Sequence, residues 1–160
     1  MNLRKLILLC FLGLLSCEKD DICLEGTPGT PRMIVLFKDY NDPSTSKAVN
    51  ELTIKGLNQD SNYQIFSGDS IAIPLRNNVY ITQYKLVLNA DTENQISDSL
   101  QINHRQFDIY INRACGYKSN YIFGNPPCYL LSQGNGWIKS IAIIKDTITD
   151  EKSSHLAIYH

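Results

Sequence analysis

The chain has 160 residues, of which 43% are hydrophobic and 19% charged, and its formal net charge at pH 7 is −1. That is enough apolar material for one domain with a core. It leaves no cationic excess for a nucleic-acid surface, which needs clustered Lys and Arg.

The first element is an export segment. Arg4 and Lys5 precede an apolar run from Leu6 to Leu15, the charged and hydrophobic regions of a secretory signal. The run is about half of the roughly 20 residues that a membrane-spanning helix requires. It ends in Leu14-Leu15-Ser16-Cys17, which resembles a lipobox, and that resemblance implies acylation of the Cys17 thiol. The next residues, Glu18-Lys19-Asp20-Asp21, resemble the lipoprotein export signal of Bacteroidota. Lys19, Asp20 and Asp21 would then direct the protein to the outer face of the outer membrane; a periplasm-facing position is the alternative. The expected organisation is a signal peptide at 1–16, a lipidated Cys and tether at 17–31, and an all-β domain at 32–160. Cleavage removes Arg4 and Lys5, so 13 basic residues face 16 acidic ones in the remaining 144.

Cys23, Cys115 and Cys128 remain in a compartment that permits disulfides. Three pairings are open, each leaving one thiol over. In the chain-entropy model a Cys23–Cys115 bridge contributes about 4.6 kcal/mol and a Cys115–Cys128 bridge about 3, too small a difference to choose. The position of Cys23 beside the tether favours pairing with Cys115. Such a bridge would leave six residue steps from the lipid to the domain, at most about 20 Å. The absence of paired C-x₂-C spacing argues against a metal site.

From Arg32 onward, short β-type runs alternate with turn residues. Met33 to Lys38 suits a buried strand, and Leu52 and Ile54 share one face of the next. Ile71 to Leu75 alternates but ends around Pro74, which marks an edge strand or strand end. Val79 to Leu88 is the longest candidate. Phe107, Ile109 and Ile111 alternate with polar neighbours. Tyr121-Ile122-Phe123 and Tyr129-Leu130-Leu131 suggest a hairpin around Gly124-Asn125-Pro126-Pro127. Ile138 to Ile144 reads as a central strand, and Leu156 and Ile158 as the last. Turn residues fall at 39–46, 56–62, 76–78, 89–94 and 134–136, and no window of the exported part shows a helical period. Seven to nine such strands predict a single antiparallel β-sandwich, immunoglobulin-like or transthyretin-like, with a small barrel as the alternative.

The candidate sites are sparse. His104, His155 and His160 are the only histidines and show no sequence-local partner. Asp39 to Asp42 and Asp91 to Asn94 carry oxygen ligands of the type Ca²⁺ takes, but neither matches an EF-hand loop, and such residues ordinarily shape turns. There is no G-x-S-x-G or H-E-x-x-H. Neither cofactor, metal nor catalytic residue is expected. Tyr110, Tyr117, Tyr121, Tyr129 and Trp137 lie in one third of the chain and would form a binding patch if they shared an exposed face.

The ordered elements Cys17-Glu18-Lys19-Asp20-Asp21-Ile22-Cys23, Thr30-Pro31, Ser70 to Leu75, Arg113-Ala114-Cys115-Gly116-Tyr117, Trp137 to Ile141 and Ala157 to His160 resemble a family of uncharacterised small lipoproteins from flavobacteria-like Bacteroidota. The resemblance implies a β domain of one type and supports the Cys23–Cys115 pairing, while Cys128 departs from the pattern. The expected role is a non-enzymatic envelope lipoprotein that docks to an outer-membrane or surface protein. The alternatives are a glycan-binding module using a Tyr/Trp face and, lower, an unrecognised hydrolase.

Overall fold

β1 (Met33–Lys38) turns Met33, Val35 and Phe37 inward, and all three are fully buried. The period-2 alternation read from the sequence is therefore the alternation of the core face. The computed structural model describes residues 22–57, 65–90, 92–131 and 136–160. In chain order there follow β2 (Val49–Gly56), β3 (Phe66–Gly68), β4 (Ser70–Ile73), β5 (Ile81–Leu88), β6 (Ile96–Asn112), β7 (Gly116–Leu130), β8 (Ser140–Ile143), β9 (Thr147–Ile148) and β10 (Leu156–Tyr159). There is no helix among the described residues.

The strands form a sandwich of two sheets, with orders β4-β1-β10-β8 and β3-β2-β5-β6-β7-β9, and no closed barrel. Pairing is antiparallel except between β1 and β10, where Val35 lies opposite Leu156 and Phe37 opposite Ile158. These two strands are joined through the whole domain and not by a hairpin, so no turn forces them antiparallel. Leu52 and Ile54 of β2, Leu86 of β5, Leu100 and Ile102 of β6 and Leu156 and Ile158 of β10 meet between the sheets. Each such aliphatic side chain stabilises the fold by about 1.5–3 kcal/mol on burial.

Several elements differ from the sequence expectation. β8 is an edge strand and not a central one. The hairpin expected at 121–131 is instead one strand, β7, which pairs with β6 on both sides of a bulge. Cys128 faces Ile102 and Phe123 faces His104, so Gly124-Asn125-Pro126-Pro127 is extra chain on β7. Turn-type residues serve a bulge as well as a hairpin, because a Pro that cannot donate to the ladder fits either. β4 is an edge strand, as Pro74 suggested. The turn expected at 56–62 runs into residues outside the described ones, as does most of 134–136.

β6 and β7 run 17 and 15 residues, and their distal halves project as an arm. Asn112 Oδ1 accepts the Cys115 N–H at 2.7 Å in the turn at its tip. Gly116 follows with φ +69°, a conformation that costs a side-chain-bearing residue strain. Cys115 is joined to Cys23 with a Cα–Cα distance of 4.8 Å. From there the N-terminal segment returns along the arm's edge. Thr30 Oγ1 accepts the Ser119 N–H at 3.0 Å, Pro31 is buried, and the Arg32 guanidinium meets Glu151 at 2.6 Å. Within the 17–31 stretch, expected to be tether, Cys23, Thr30 and Pro31 are thus held to the domain.

Candidate functional site

Among the described residues, a concavity lies where the start of β5 meets the middle of β6. It has a volume of about 580 Å³ and is lined by Tyr80, Ile81, Asn103, His104, Arg105, Gly124 and Asn125. A neighbouring hollow of about 360 Å³ is lined by residues 78–80, Gln106 and Asp108. Tyr80 borders both hollows and is 75% exposed, so the first of them is a groove with an open aromatic ring at its edge.

Local structure fixes each wall. The His104 N–H donates to the Tyr80 carbonyl at 2.9 Å, which ties the β5 entry to β6. On the outer face, Gln83 Nε2 donates to Gln101 Oε1 at 2.6 Å and Gln101 Nε2 to Asn103 Oδ1 at 2.9 Å. Asn103 Nδ2 then donates to the Pro126 carbonyl at 2.7 Å. The chain of amides holds the β7 bulge against β6. A Cβ at Gly124 would come within 3.1 Å of Asn103 Cβ, so the bulge approaches this closely because position 124 is glycine. Along the second hollow, Gln106 Oε1 accepts the Asn78 N–H at 2.8 Å and Gln106 Nε2 donates to Asp108 Oδ1 at 2.7 Å. Ser119 Oγ donates to the same oxygen at 2.8 Å. These two donors, Gln106 first, hold the Asp108 carboxyl below the usual carboxylate range.

His104 is buried and shares a 2.7 Å hydrogen bond between its Nε2 and Thr82 Oγ1. Thr82 Oγ1 also accepts the Arg76 N–H at 3.1 Å, so this hydroxyl links the segment before β5 to the buried ring. Burial lowers the His104 pKa, so the ring is neutral near pH 7. Its edge packs on Tyr121 with ring centroids 5.4 Å apart. The Thr82–His104 pair has the composition of a nucleophile and base, but both residues are buried and, among the described residues, no hydrogen-bonding group orients Nδ1. The groove therefore offers binding chemistry: an aromatic face, fixed amides and the Arg105 guanidinium.

The structure divides the sequence-predicted site residues. Cys17, Lys19, Asp20 and Asp21 lie outside the described residues. Tyr110 and Tyr117 are exposed and meet edge-on at 5.2 Å, and Tyr129 lies beside Gln101 on the opposite face of the sheet. Tyr121 is fully buried and Trp137 is 6% exposed, so the five aromatics do not form one face. Trp137 closes the core, its ring 6.2 Å from Phe37 and 5.4 Å from His160. Alternation along a single strand gave no sign that these rings were needed between two sheets. Tyr80 was missed, and its only sequence signal is its position after the Asn77-Asn78 turn.

The histidines belong to separate networks. His155 Nδ1 accepts the Ile34 N–H at 3.0 Å, and His160 Nε2 lies 3.0 Å from the Lys47 carbonyl. The acidic turn at 39–42 uses its oxygens locally: Asp39 Oδ1 accepts the Asn41 N–H at 2.7 Å, and Asp42 accepts from Ser44 and Thr45. Asp91 lies outside the described residues. Among the described residues, no three His, Cys, Asp or Glu side chains gather closely enough to hold a metal ion.

Residues 51–160 match the family of unknown function DUF6452. The chain belongs to this family. The DUF6452 match includes the groove, the arm with Cys115, and the segments Ser70 to Leu75 and Trp137 to Ile141, while Cys17 to Cys23 precede it. No curated protein and no solved structure matches the chain.

Proposed function

We propose that this protein is a lipid-anchored envelope lipoprotein of the bacterial outer membrane, acting without catalysis as a docking module for a protein partner. The observation that carries this reading is the Cys23–Cys115 clamp. It fixes the domain six residue steps after Cys17, within about 20 Å of any acyl group there. A single acyl chain holds a protein to a bilayer only marginally, whereas the two or three of a bacterial lipoprotein hold it firmly. The export-like Lys19-Asp20-Asp21 favours an outward-facing position.

The groove at Tyr80 is the proposed docking surface, since it joins an exposed aromatic to a rigid set of amides. The test is a photoreactive amino acid at position 80 of the full chain in intact source cells. One envelope protein cross-linked from position 80 and not from Tyr40, in a protein that incorporates labelled palmitate only when Cys17 is present, is the expected result. Absence of acylation overturns the anchor, and cross-links that are equal from both positions overturn the docking surface.

A second reading is favoured by the same ring. Tyr80 beside Asn103, Asn125 and Arg105 has the amphipathic face and planar donors that suit a sugar. Saturable glycan binding lost in Tyr80→Ala would support it; an empty glycan screen removes it.

A further inference from the structure

Ile22 and Leu24 flank Cys23, and both are exposed. Beside them at the far end of the β6–β7 arm, Tyr110 and Tyr117 pair on one face while Phe107 and Ile109 stand on the other, all exposed as well. Exposed apolar and aromatic side chains thus stand on both faces of this end, beside Asp108, Lys118 and Arg113. An apolar surface of this kind at one end of a domain marks an interface.

What covers it follows from where the chain leads. Residues 1–21 precede Ile22, and Cys17 stands six residue steps before the clamped Cys23. Acyl groups on Cys17 would enter a bilayer within about 20 Å of the arm's tip. The composition fits the same occupant. Tyrosine rings concentrate at the level of lipid headgroups, and a Lys such as Lys118, opposite Ile109, keeps its ammonium in water while its stem lies on apolar surface.

We propose that the distal end of the β6–β7 arm is a second membrane contact, with Ile22, Leu24, Tyr110 and Tyr117 resting in the headgroup layer of the bilayer that holds the acyl chains. This rests on the lipid-anchored reading above. It gives the domain one orientation. The arm points at the membrane, and the groove at Tyr80 lies about eight residues up the strand, roughly 27 Å from the surface.

The experiment uses the full acylated chain in phosphatidylcholine vesicles whose acyl chains carry bromine near the headgroup. Trp137 is the only tryptophan and is buried, which leaves a constant background. Tyr117→Trp and Tyr110→Trp each add a reporter at the arm. Tyr129→Trp adds one at the other end of β7, about 37 Å from the tip by strand length. The expected result is at least a twofold loss of the added fluorescence, with a blue shift, for both arm reporters and none for Tyr129→Trp. Flotation with the vesicles and the mass of the N-terminal peptide report acylation independently. An acylated, vesicle-bound chain in which neither arm reporter is quenched overturns the arm contact and leaves the anchor standing. A chain without acyl groups overturns both.

Discussion

His155 Nδ1 accepts the backbone N–H of Ile34 at 3.0 Å, joining the residue before β10 to the first sheet strand across 121 positions of sequence. The ring is fully buried, and only its neutral form can accept there. Burial lowers its pKa, Lys145 lowers it further, and Asp150 and Glu151 oppose them. His104 is shifted in the same direction by burial. With both folded-state values below about 6.5, the unfolded chain binds more protons, so stability is fully present above that pH and falls as acid titrates the folded rings. Urea midpoints should therefore drop between pH 7 and pH 5. His155→Ala should cost about 2–4 kcal/mol at pH 7 through the lost packing and the unpaired Ile34 N–H. It should also flatten the pH slope without abolishing it, because His104 still titrates. A slope unchanged by His155→Ala would show that the ring is not neutral in the fold.

The Cys23–Cys115 bridge closes 92 residues, and in the chain-entropy model it contributes about 4.6 kcal/mol by restricting the unfolded chain. Cys115→Ser should lower the stability by several kcal/mol, read as a shift in urea midpoint. It should also make the 24–31 segment a site of proteolysis, since Thr30 to Ser119 and Arg32 to Glu151 are then the contacts left to hold it. The exposed Arg32–Glu151 pair adds about 0.2–1 kcal/mol, too little to replace the bridge. Equal midpoints with and without reductant would refute the assignment of the clamp as a stabilising element.

The sandwich was legible where one strand's own pattern sufficed. Met33, Val35 and Phe37 alternate in the sequence and in the core, and Pro74 marks an edge in both. The pattern misled where a second layer decides the outcome. Phe107 and Ile109 alternate as a core face does, yet they lie on the arm and are exposed. The apolar run 138–144 looked central, but among the described strands β8 pairs with β10 alone. The groove was not legible at all, because Tyr80 and Ile81, residues 103–105 and residues 124–125 meet only when β5, β6 and the β7 bulge are assembled.

Cys128 is the one free thiol among the described cysteines, and it faces Ile102 on the inner side of β7. Burial pushes its pKa up from 9.0 to about 11. At pH 8 the native thiol should react with an aromatic disulfide reagent far more slowly than the same thiol in urea, since the thiolate is the nucleophile. Native labelling as fast as unfolded labelling would place Cys128 outside the core.

Tyr80 can be tested without disturbing the fold that carries it. Its ring is three-quarters exposed, and the hydrogen bond that ties it to β6 uses its backbone carbonyl and the His104 N–H. Tyr80→Ala should therefore change stability by less than about 0.5 kcal/mol, the ordinary range for a surface position. Removing an aromatic anchor from the centre of a docking surface costs about 2 kcal/mol or more of binding, some thirtyfold in affinity. Asn103→Ala, by contrast, breaks both the bond from Gln101 and the bond to Pro126. It should loosen the β7 bulge and weaken binding together with stability. Titration of both variants against the partner cross-linked at position 80, or against a glycan that binds, separates the ring from its frame. If the groove is the docking surface, Tyr80→Ala loses affinity with an unchanged urea midpoint; if affinity is retained in both variants, the docking surface lies elsewhere on the domain.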